Sequence, residues 1–415
     1  MVKSLVAEVT TTAREFTPNA RLFLLATLLS WVGLAVNQVV FNLYLVAGGY
    51  GADVVGAVTA MLGIGMAATA LPAGWLADRF GRRACLIAGA IAIASALGAR
   101  ALSLSPGALY TSTLFVGAGQ ALITIAASPF MIENSDEFER THLFSMHFVV
   151  ILLGGLLGNL AGGELPGVFE QNFAGLAPST LVAYRVTLVV GAIASMLSVW
   201  PLLFLREAPP HERPAIEPAR ARDHAELLSR LGLNFLIVGF GAGLIMPFFN
   251  LYFSQRYGAT AGQIGLYFSV AQVLTLIATL TGPLIARRMG MLKAVTVLQL
   301  VSLPFLVTLG FETTLAVSVI AFWLRSVFMQ MSSPLVAAYA MEQIPPALRA
   351  RAQAIDNMCW YAGWAVSSAL SGQVMARFGF AWPYYLTALC YGVAAVTFWA
   401  YFRRRQSRAS APATP

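Results

Sequence analysis

Apolar residues occur along the chain in long runs that short charged segments interrupt. A run of about 20 apolar residues is enough for an α-helix to cross a hydrocarbon core of about 30 Å. The alternating ten-residue pattern of a membrane β-barrel does not recur. The pattern therefore predicts an all-α membrane protein with twelve transmembrane helices. We place the predicted spans at 21–47, 54–77, 84–104, 108–132, 141–163, 180–204, 231–254, 262–286, 291–310, 313–341, 351–375 and 381–402.

The longest hydrophilic stretch divides the twelve predicted spans into two sets of six. This stretch, residues 206–229, contains Pro209, Pro210, Pro214 and Pro218 among mixed charges, which is typical of a linker. We therefore expect four segments. They are an N-terminal half at 1–205, a cytoplasmic linker at 206–229, a C-terminal half at 230–403 and a cytoplasmic tail at 404–415.

The two halves resemble each other at a nearly constant offset. Phe41–Tyr44 in the first span recurs as Phe249–Tyr252 in the seventh, 208 residues later. Glu133 recurs as Glu342, 209 residues later, although it lies in a separate region of the chain. Two six-helix halves related by a parallel repeat, with a substrate path between them, are the expected architecture of a secondary transporter.

The charge distribution predicts how the chain is oriented. The net charge of +8 arises from Arg and Lys in short loops between apolar spans, which follows the positive-inside rule and argues against nucleic acid as a partner. With both termini cytoplasmic, five of the 26 Lys and Arg residues fall outside the inner segments: Arg100, Arg185, Arg256, Arg325 and Arg377. The first apolar run has no clear cleavage site, so we expect it to be retained as a span. We expect an integral protein of the cell membrane.

Signatures of catalysis are absent from the sequence. Neither Lys3 nor Lys293 lies in a phosphate-binding G-x4-G-K-[ST] loop, and G-x-S-x-G and H-E-x-x-H do not occur. We expect no enzyme activity, no cofactor and no metal site. The expected partners are the lipid bilayer, a small-molecule substrate and protons as the coupling ion, and we expect the protein to be a monomer.

A charged turn separates the second and third spans. Its sequence, Gly-Trp-Leu-Ala-Asp-Arg-Phe-Gly-Arg-Arg over residues 74–83, matches the pattern G-x-L-a-D-r-x-G-r-[rk] at every fixed position. This turn resembles the loop between the second and third helices of the major facilitator superfamily, and the resemblance covers nearly all of the chain. It implies twelve helices in two six-helix halves. The candidate gate residues in this turn are Gly74, Asp78, Arg79, Gly81, Arg82 and Arg83.

In the superfamily, the aspartate of this loop contacts the start of the eleventh helix and holds the cytoplasmic side closed. By resemblance, Asp78 would contact the segment near Arg349 to Arg351. The alternative is that the arginines serve only as topology signals. We favour a gate because Asp78 adds nothing to such a signal. The second half has Ala286 at the position equivalent to Asp78, so the predicted gate is asymmetric.

Two further loops place a glutamate seven residues before an arginine. They are Glu133 to Arg140 and Glu342 to Arg349, and they resemble the loops after the fourth and tenth helices of sugar-porter-like members of the superfamily. Opposite charges at the cytoplasmic helix ends can pair when the inner gate closes, each exposed pair contributing about 0–1 kcal/mol. The alternative is solvated charge at the membrane interface.

Arg325 lies near the bilayer centre, about 17 Å along the helix from the outer end of the tenth span. A lipid-facing arginine at that depth costs at least about 2.5–3.5 kcal/mol, so its side chain should face protein or a water-filled cavity. Three roles are open. Arg325 binds an anionic group of the substrate, acts as counter-ion to a carboxylate, or is a structural residue hydrogen-bonded to carbonyl groups.

The resemblance also implies which residues line a central cavity, because spans one, four, seven and ten do so in this fold. Interhelical hydrogen bonding is the alternative role for each amide among them. The candidate cavity residues are Asn37, Phe41, Tyr44, Gln120, Asn250, Arg325 and Gln330.

His147 in the fifth span corresponds to Asp356 in the eleventh at the 209-residue offset. A histidine and a carboxylate at equivalent depths are candidates for proton coupling, with helix packing as the alternative. The fifth span also contains Gly154, Gly158 and Asn159 in a stretch that resembles the antiporter signature of the superfamily, with Asn159 in place of its proline. Close helix packing explains these small residues equally well.

Together, these features predict a secondary transporter that moves a small organic solute by alternating access. The first hypothesis is proton-coupled efflux of amphipathic or anionic compounds. The second is uptake of a metabolite by symport or uniport. A third, a non-transporting receptor or scaffold, has little support because the linker and tail are short.

Overall fold

The computed structural model describes residues 16–172, 179–206, 224–311, 313–345 and 348–409, and nearly all of them are helical. The predicted linker and tail lie largely outside these residues. The described residues contain no β-strand, which agrees with the predicted all-α fold. The twelve principal helices are α1 (Pro18–Ala47), α2 (Ala52–Phe80), α3 (Arg82–Leu102), α4 (Pro106–Glu133), α5 (Glu137–Asn172), α6 (Thr180–Leu197), α7 (Ala225–Ile245), α8 (Ala261–Met289), α9 (Met291–Gly310), α10 (Leu315–Glu342), α11 (Arg349–Phe378) and α12 (Ala381–Ala409).

Two of the spans are interrupted. After α6 the chain forms a short helix at Val199–Leu203, and α7 continues through a 3-10 turn at Met246–Phe248 into the helix Phe249–Tyr257. Each of the twelve predicted spans coincides with one helix or with one such interrupted pair. The prediction of a twelve-helix membrane fold is therefore confirmed.

Eleven spans among the described residues are long and apolar enough to cross a bilayer. The helix that falls short is α11, because polar residues such as Asn357, Ser368 and Ser371 occur along its length as well as the charges in its first turns. Large apolar side chains are exposed on the outer faces of other helices, and Leu280 of α8 is 72% exposed. Such faces are suited to lipid, where apolar exposure carries no penalty.

Glycine allows the tight turns that join consecutive spans. Gly81 separates α2 from α3 with φ of 88°, and Gly290 separates α8 from α9 with φ of 83°. Residues with a Cβ rarely adopt this left-handed backbone, so both positions favour glycine. The two glycines are 209 residues apart, and the internal repeat therefore extends to the backbone of the loops.

Close contacts divide the chain into two compact units. Unit 1 takes its described residues from Met1–Gly49, Met61–Ala215 and Ala259–Ser269, and unit 2 from Tyr50–Ala60, Ile216–Gly258 and Val270–Pro415. The predicted boundaries at 205 and 230 follow the sequence alone and stay predictions. By these contacts, the first turns of α2 belong to unit 2, and the first turns of α8 belong to unit 1.

Glycine pairs bring these first turns close to their neighbours. In unit 2, a Cβ built on Gly56 of α2 would lie 2.8 Å from the Cα of Gly372 of α11. In unit 1, a Cβ on Gly163 of α5 would lie 3.1 Å from the Cα of Gly265 of α8. Gly56 and Gly265 are equivalent in the repeat, as are Gly163 and Gly372, so each unit contains the same small-residue contact.

A tyrosine hydroxyl joins the first and third helices of each repeat. Tyr44 donates a 3.0 Å hydrogen bond to the carbonyl of Ala101, and Tyr252 donates a 2.8 Å bond to the carbonyl of Leu309. We call these two contacts the tyrosine bridges. Donor and acceptor are 57 residues apart in both bridges, so the repeat seen in sequence is also a repeat of contacts.

The break in the seventh span is supported by serines of α11. Pro247 has no N–H, so the carbonyl of Gly243 loses its helical donor. Ser368 donates to that carbonyl at 3.1 Å, and Ser371 donates to the neighbouring carbonyl of Leu244 at 2.5 Å. Backbone groups without a partner are costly in hydrocarbon. These serines therefore allow the helix to break inside the membrane.

Replacing Ser368 with alanine removes the donor to the Gly243 carbonyl and should lower the free energy of unfolding by about 1 kcal/mol. Ser367→Ala is the matched control. Ser367 is equally buried but donates to Trp364 within its own helix, where a backbone N–H remains available. Thermal unfolding in detergent would measure both variants. Equal stability of the two would contradict a special role for Ser368.

Candidate functional site

One arginine joins three helix ends in unit 1. Arg82, at the start of α3, donates to Asp78 at the end of α2 with an Nη2–Oδ1 distance of 3.2 Å. Its Nε atom lies 3.1 Å from Oε1 of Glu133 at the end of α4, and Nη1 donates to the carbonyl of Ala77 at 3.1 Å. Arg82 and Glu133 are half-buried, whereas Asp78 is exposed. We call Asp78, Arg82 and Glu133 the ionic cluster.

The remaining gate candidates of unit 1 have surroundings of their own. Arg83 donates to the carbonyl of Leu203 at 2.7 Å and so joins α3 to the end of the sixth span. The guanidinium of Arg79 lies 5.1 Å from the ring centre of Trp75. Arg140 is half-buried, and its Nε has no hydrogen-bond partner among the described residues. A Cβ built on Gly74 would have no heavy atom within 4 Å, so steric crowding does not explain why this residue is a glycine.

The second half lacks an equivalent cluster. The positions equivalent to Asp78 and Arg82 are Ala286 and Met291. Glu342 forms no ion pair within the part of the chain that the structure describes. Arg349 instead donates from Nε to the carbonyl of Met341 at 3.1 Å. The two halves thus differ in their contacts as well as in the charges predicted from the sequence. Contact of Asp78 with the start of α11 stays a prediction.

A second buried arginine, Arg100, was not among the sequence candidates. It is 6% exposed near the end of α3. Its Nη2 and Nε atoms donate to Oδ1 of Asn37 at 2.9 and 3.3 Å, and its Cζ lies 4.0 Å from the ring centre of Phe41. Both partners are on α1. In the sequence, Arg100 lies within the third predicted span, 84–104, outside the inner segments, and no partner was assigned to it. The spacing of Asn37 and Phe41 on one helical face was the available signal.

Three cavity candidates of the first span therefore contact neighbouring helices of unit 1. Asn37 and Phe41 contact Arg100, and Tyr44 forms a tyrosine bridge. The Nε atom of Arg185 on α6 also lies 3.4 Å from the Tyr44 hydroxyl. These contacts fit the helix-packing alternative, and contact of these residues with a substrate stays a prediction.

In unit 2, Arg325 is 4% exposed. Its Nη2 donates to the hydroxyl of Tyr391 on α12 at 3.2 Å, and its Cζ lies 5.7 Å from the ring centre of Phe249. The Nε atom of Arg325 and the hydroxyl of Tyr384 are both buried without a hydrogen-bond partner among the described residues. No carboxylate in those residues pairs with Arg325, so the counter-ion role has no partner there.

The other cavity candidates have different surroundings. Asn250 is buried, and its Oδ1 accepts the N–H of Leu251 at 2.9 Å at the start of the second part of the seventh span. Gln120 is half-buried and Gln330 is exposed. None of the contacts described above joins one of these three amides to another.

A cavity of about 320 Å³ lies among five spans of unit 1. Its walls are largely apolar and include Phe23 and Trp31, with hydroxyl groups from Thr27 and Ser128. His147 lines it, stacked on Phe23 with ring centres 5.3 Å apart. The cavity is at the lower end of the size range of small-molecule sites, and it has their combination of apolar walls and few polar groups.

Asp356, the repeat partner of His147, lies in unit 2 and is 2% exposed. Its Oδ2 atom has no hydrogen-bond donor, and its carboxylate forms no ion pair, within the described ranges. On the adjacent α7, a Cβ on Gly232 would lie 3.3 Å from Cys359 and from Ile355 of α11, so the two helices are closely packed here. Asp356 is therefore a buried titratable group in an apolar setting.

The small residues of α5 pack against α1. A Cβ on Gly154 would lie 2.8 Å from Cβ of Trp31, and one on Gly162 would lie 3.0 Å from Cα of Val36. Asn159 on the same helix is buried, and its Oδ1 has no partner among the described residues. Helix packing thus accounts for the glycines of the stretch that resembles the antiporter signature.

Two repeated sets of membrane-length helices, with charged groups buried inside them, define a polytopic membrane protein built from an internal repeat. The sequence profile of the Major Facilitator Superfamily matches residues 23–233 and, again, residues 231–414. The chain belongs to this superfamily, whose members are transporters. The two successive matches correspond to the two halves of the repeat.

Solved structures of transporters resemble the chain over most of its length. A bacterial homologue of the human lysosomal transporter Spinster gives a TM-score of 0.75 at 16% identity, covering 96% of this chain and 100% of that one. The nucleoside transporter NupG gives 0.74 at 15% identity, covering 93% and 100%. A D-xylose–proton symporter gives 0.73 at 17% identity, covering 92% and 97%. At these identities the similarity shows the fold alone. No curated protein sequence gives a significant match.

Replacing Arg82 with glutamine should loosen the junction of α2, α3 and α4, because both carboxylates of the ionic cluster lose their cation. Cys85 is a native reporter: it is buried one turn further along α3. We expect faster maleimide labelling of Cys85 in Arg82→Gln than in the parent, in a background where Cys359 and Cys390 are replaced by serine.

Arg83→Gln is the control for this experiment. It removes an equal charge from the adjacent position but leaves the ionic cluster in place. Arg83→Gln also loses the hydrogen bond to Leu203, so equal labelling rates in the two variants would contradict a specific role of the ionic cluster in protecting this helix junction.

Proposed function

We propose that the protein carries a small organic solute across the cell membrane by alternating access, in exchange for protons and in the export direction. The observation that supports proton coupling is Asp356, a buried carboxyl group without a partner among the described residues. An unpaired carboxylate in an apolar environment is several kcal/mol less favourable than the protonated form. Asp356 is thus suited to bind a proton when buried and to release it when its helix meets water.

The cavity in unit 1 is the proposed entry point for the solute. Its apolar walls and scattered hydroxyl groups suit a small amphipathic compound. His147 lines this cavity, and we propose it as a second titratable group that responds to the solute. Helix packing remains its alternative role, because its ring also stacks on Phe23.

The ionic cluster is the proposed cytoplasmic gate element. Arg82 holds Asp78 and Glu133 within one unit, where two half-buried groups and one exposed group form pairs weak enough to rearrange. Asp78 is the exposed member of the cluster, and an exposed ion pair is weak enough for its carboxylate to exchange partners during the cycle. We propose that the arginine-rich turn lies on the cytoplasmic face and that both termini are cytoplasmic, which the positive-inside rule supports.

Uptake by symport or uniport is the second candidate. The glycines of α5 that favoured an antiporter in sequence have packing contacts with α1. In addition, two of the similar structures are a D-xylose–proton symporter and a fucose–proton symporter. The direction of transport relative to the proton gradient distinguishes the two candidates.

Reconstituted protein should convert a pH gradient into accumulation of a solute. Solutes would first be chosen by ligand-induced thermal stabilisation and then measured in proteoliposomes. For proton-coupled exchange, we expect solute to accumulate in the more acidic compartment. Asp356→Asn should abolish this accumulation while solute counterflow without a pH gradient continues, since the neutral side chain mimics only the protonated state.

Asp53→Asn is the matched control, because Asp53 is an exposed carboxyl group at the start of α2. Accumulation in the alkaline compartment would favour symport over exchange. Undiminished accumulation by Asp356→Asn would overturn the role of Asp356, and pH-independent flux in the parent protein would overturn proton coupling.

Arg325→Lys tests whether the substrate is an anion. Lysine keeps the charge but loses the planar fork that binds a carboxylate or phosphate through two hydrogen bonds. If Arg325 binds such a group, the variant should bind organic acids about tenfold more weakly, or ~1.4 kcal/mol, and bind their neutral amides unchanged. Thermal stabilisation of purified protein across matched acid and amide pairs would measure this. Unchanged affinity for both sets would leave Arg325 a structural role.

A further inference from the structure

A polar cleft of about 510 Å³ lies at one end of unit 2, apart from the groups discussed above. The start of α7 forms one wall and the end of α12 the other. Asn234 of α7 donates to the carbonyl of Ala394 of α12 at 2.8 Å, one turn below the residues that line the cleft. The two helices are thus joined at this depth and leave a space between them towards their ends.

The cleft is strongly basic. Arg230 comes from α7, and Arg404 and Arg405 come from α12, whereas Glu226 is the single carboxylate among the lining residues. No hydrogen bond or ion pair of these three guanidinium groups occurs within the described parts of the chain. Three like charges around one space repel one another unless an anion is present, so the electrostatics favour an anionic occupant.

Aromatic residues place the cleft at the membrane surface. The guanidinium of Arg230 lies 5.8 Å from the ring centre of Tyr401, and that of Arg403 lies 4.7 Å from the ring centre of Trp399. Tyrosine and tryptophan are enriched at the level of lipid headgroups, where arginine side chains also extend to the interface. These contacts support a position of the cleft at the depth of lipid phosphate groups.

Below the arginines, both walls continue into apolar surface. On α12, Val393 lies one turn below Thr397 of the cleft, and on α7, Leu233 lies one turn below Arg230; both apolar side chains are exposed. A phospholipid has the matching pattern, a phosphate above acyl chains. A free phosphate would leave the apolar part of this surface without a role.

We propose that this cleft binds the phosphate of an anionic phospholipid from the leaflet that faces the arginine-rich ends of the helices. Arg404, Arg405 and Arg230 bind the phosphate oxygens, since guanidinium groups form paired hydrogen bonds with them. The acyl chains lie along the exposed apolar faces of α7 and α12. Basic pockets between helices on this side of a membrane are suited to such headgroups.

The position of the cleft gives the lipid a structural consequence. The cleft lies between α7, the first helix of the second repeat, and α12, its last helix. A bound phosphate would connect the two helices through the three arginines. This connection adds to the hydrogen bonds from Asn234 to the carbonyl of Ala394 and from Thr387 to the carbonyl of Gly241, which also join these two helices. An anionic lipid should therefore stabilise unit 2 as well as bind to it.

Binding would be measured on the full-length protein, delipidated in detergent and then mixed with micelles of phosphatidylglycerol or phosphatidylcholine. Native mass spectrometry counts the retained lipid, and thermal unfolding reports the stabilisation. We expect tighter retention of phosphatidylglycerol and a higher unfolding temperature with it. The double variant Arg404→Gln, Arg405→Gln should bind phosphatidylglycerol about 30-fold more weakly, for two contacts of ~1 kcal/mol each.

Arg403→Gln is the matched control, because Arg403 lies over Trp399 and does not line the cleft. Arg230→Gln, on the opposite wall, is a second variant that should also weaken binding. Equal binding by the double variant and the parent would overturn the proposal, as would an equal loss in Arg403→Gln, which would indicate diffuse charge. Inorganic phosphate that stabilises the protein as well as phosphatidylglycerol does would overturn the lipid as occupant and indicate a free-anion site.

Discussion

The structure depends on one constraint: a polar group buried in the membrane has no water to bind, so its partner must come from the protein. At the break in the seventh span, Ser368 and Ser371 supply donors to carbonyls that a proline leaves without one. At the end of α3, Asn37 and Phe41 surround a buried guanidinium. The polar residues that look like candidate binding groups in sequence are, in several cases, the partners that this constraint requires.

The same constraint draws attention to the few groups that lack partners. Arg325, Asp356 and Tyr384 each have a buried polar atom without a hydrogen bond among the described residues. Such atoms are costly unless something else binds there during the transport cycle. The groups that remain unsatisfied in unit 2 are therefore better functional candidates than Asn37 or Tyr44, which have partners.

The sequence predicted the helices well, because the length and apolarity of each run are local properties. It also predicted the repeat, whose equivalent residues later proved to form equivalent contacts. The partners of charged residues could not be predicted in this way. In sequence, Glu133 and Arg140 formed one motif of the loop after the fourth span, and no partner of Glu133 was named; in the structure Glu133 contacts Arg82, from a different loop. That contact depends on how the adjacent ends of α2, α3 and α4 pack against one another, which the residue spacing within one loop does not reveal. The partners of Arg100 were not predicted for the same reason: its burial depends on side chains of α1, 63 residues away.

The tyrosine bridges also bear on how the chain assembles as it is made. Each bridge joins the first helix of a half to the third, across 57 residues. Both partners have therefore been synthesised before the fourth helix of that half enters the membrane. Each bridge can therefore form as soon as the third helix of its half is in place, without any contact from the later helices. The repeat thus makes the same early contact available to both halves.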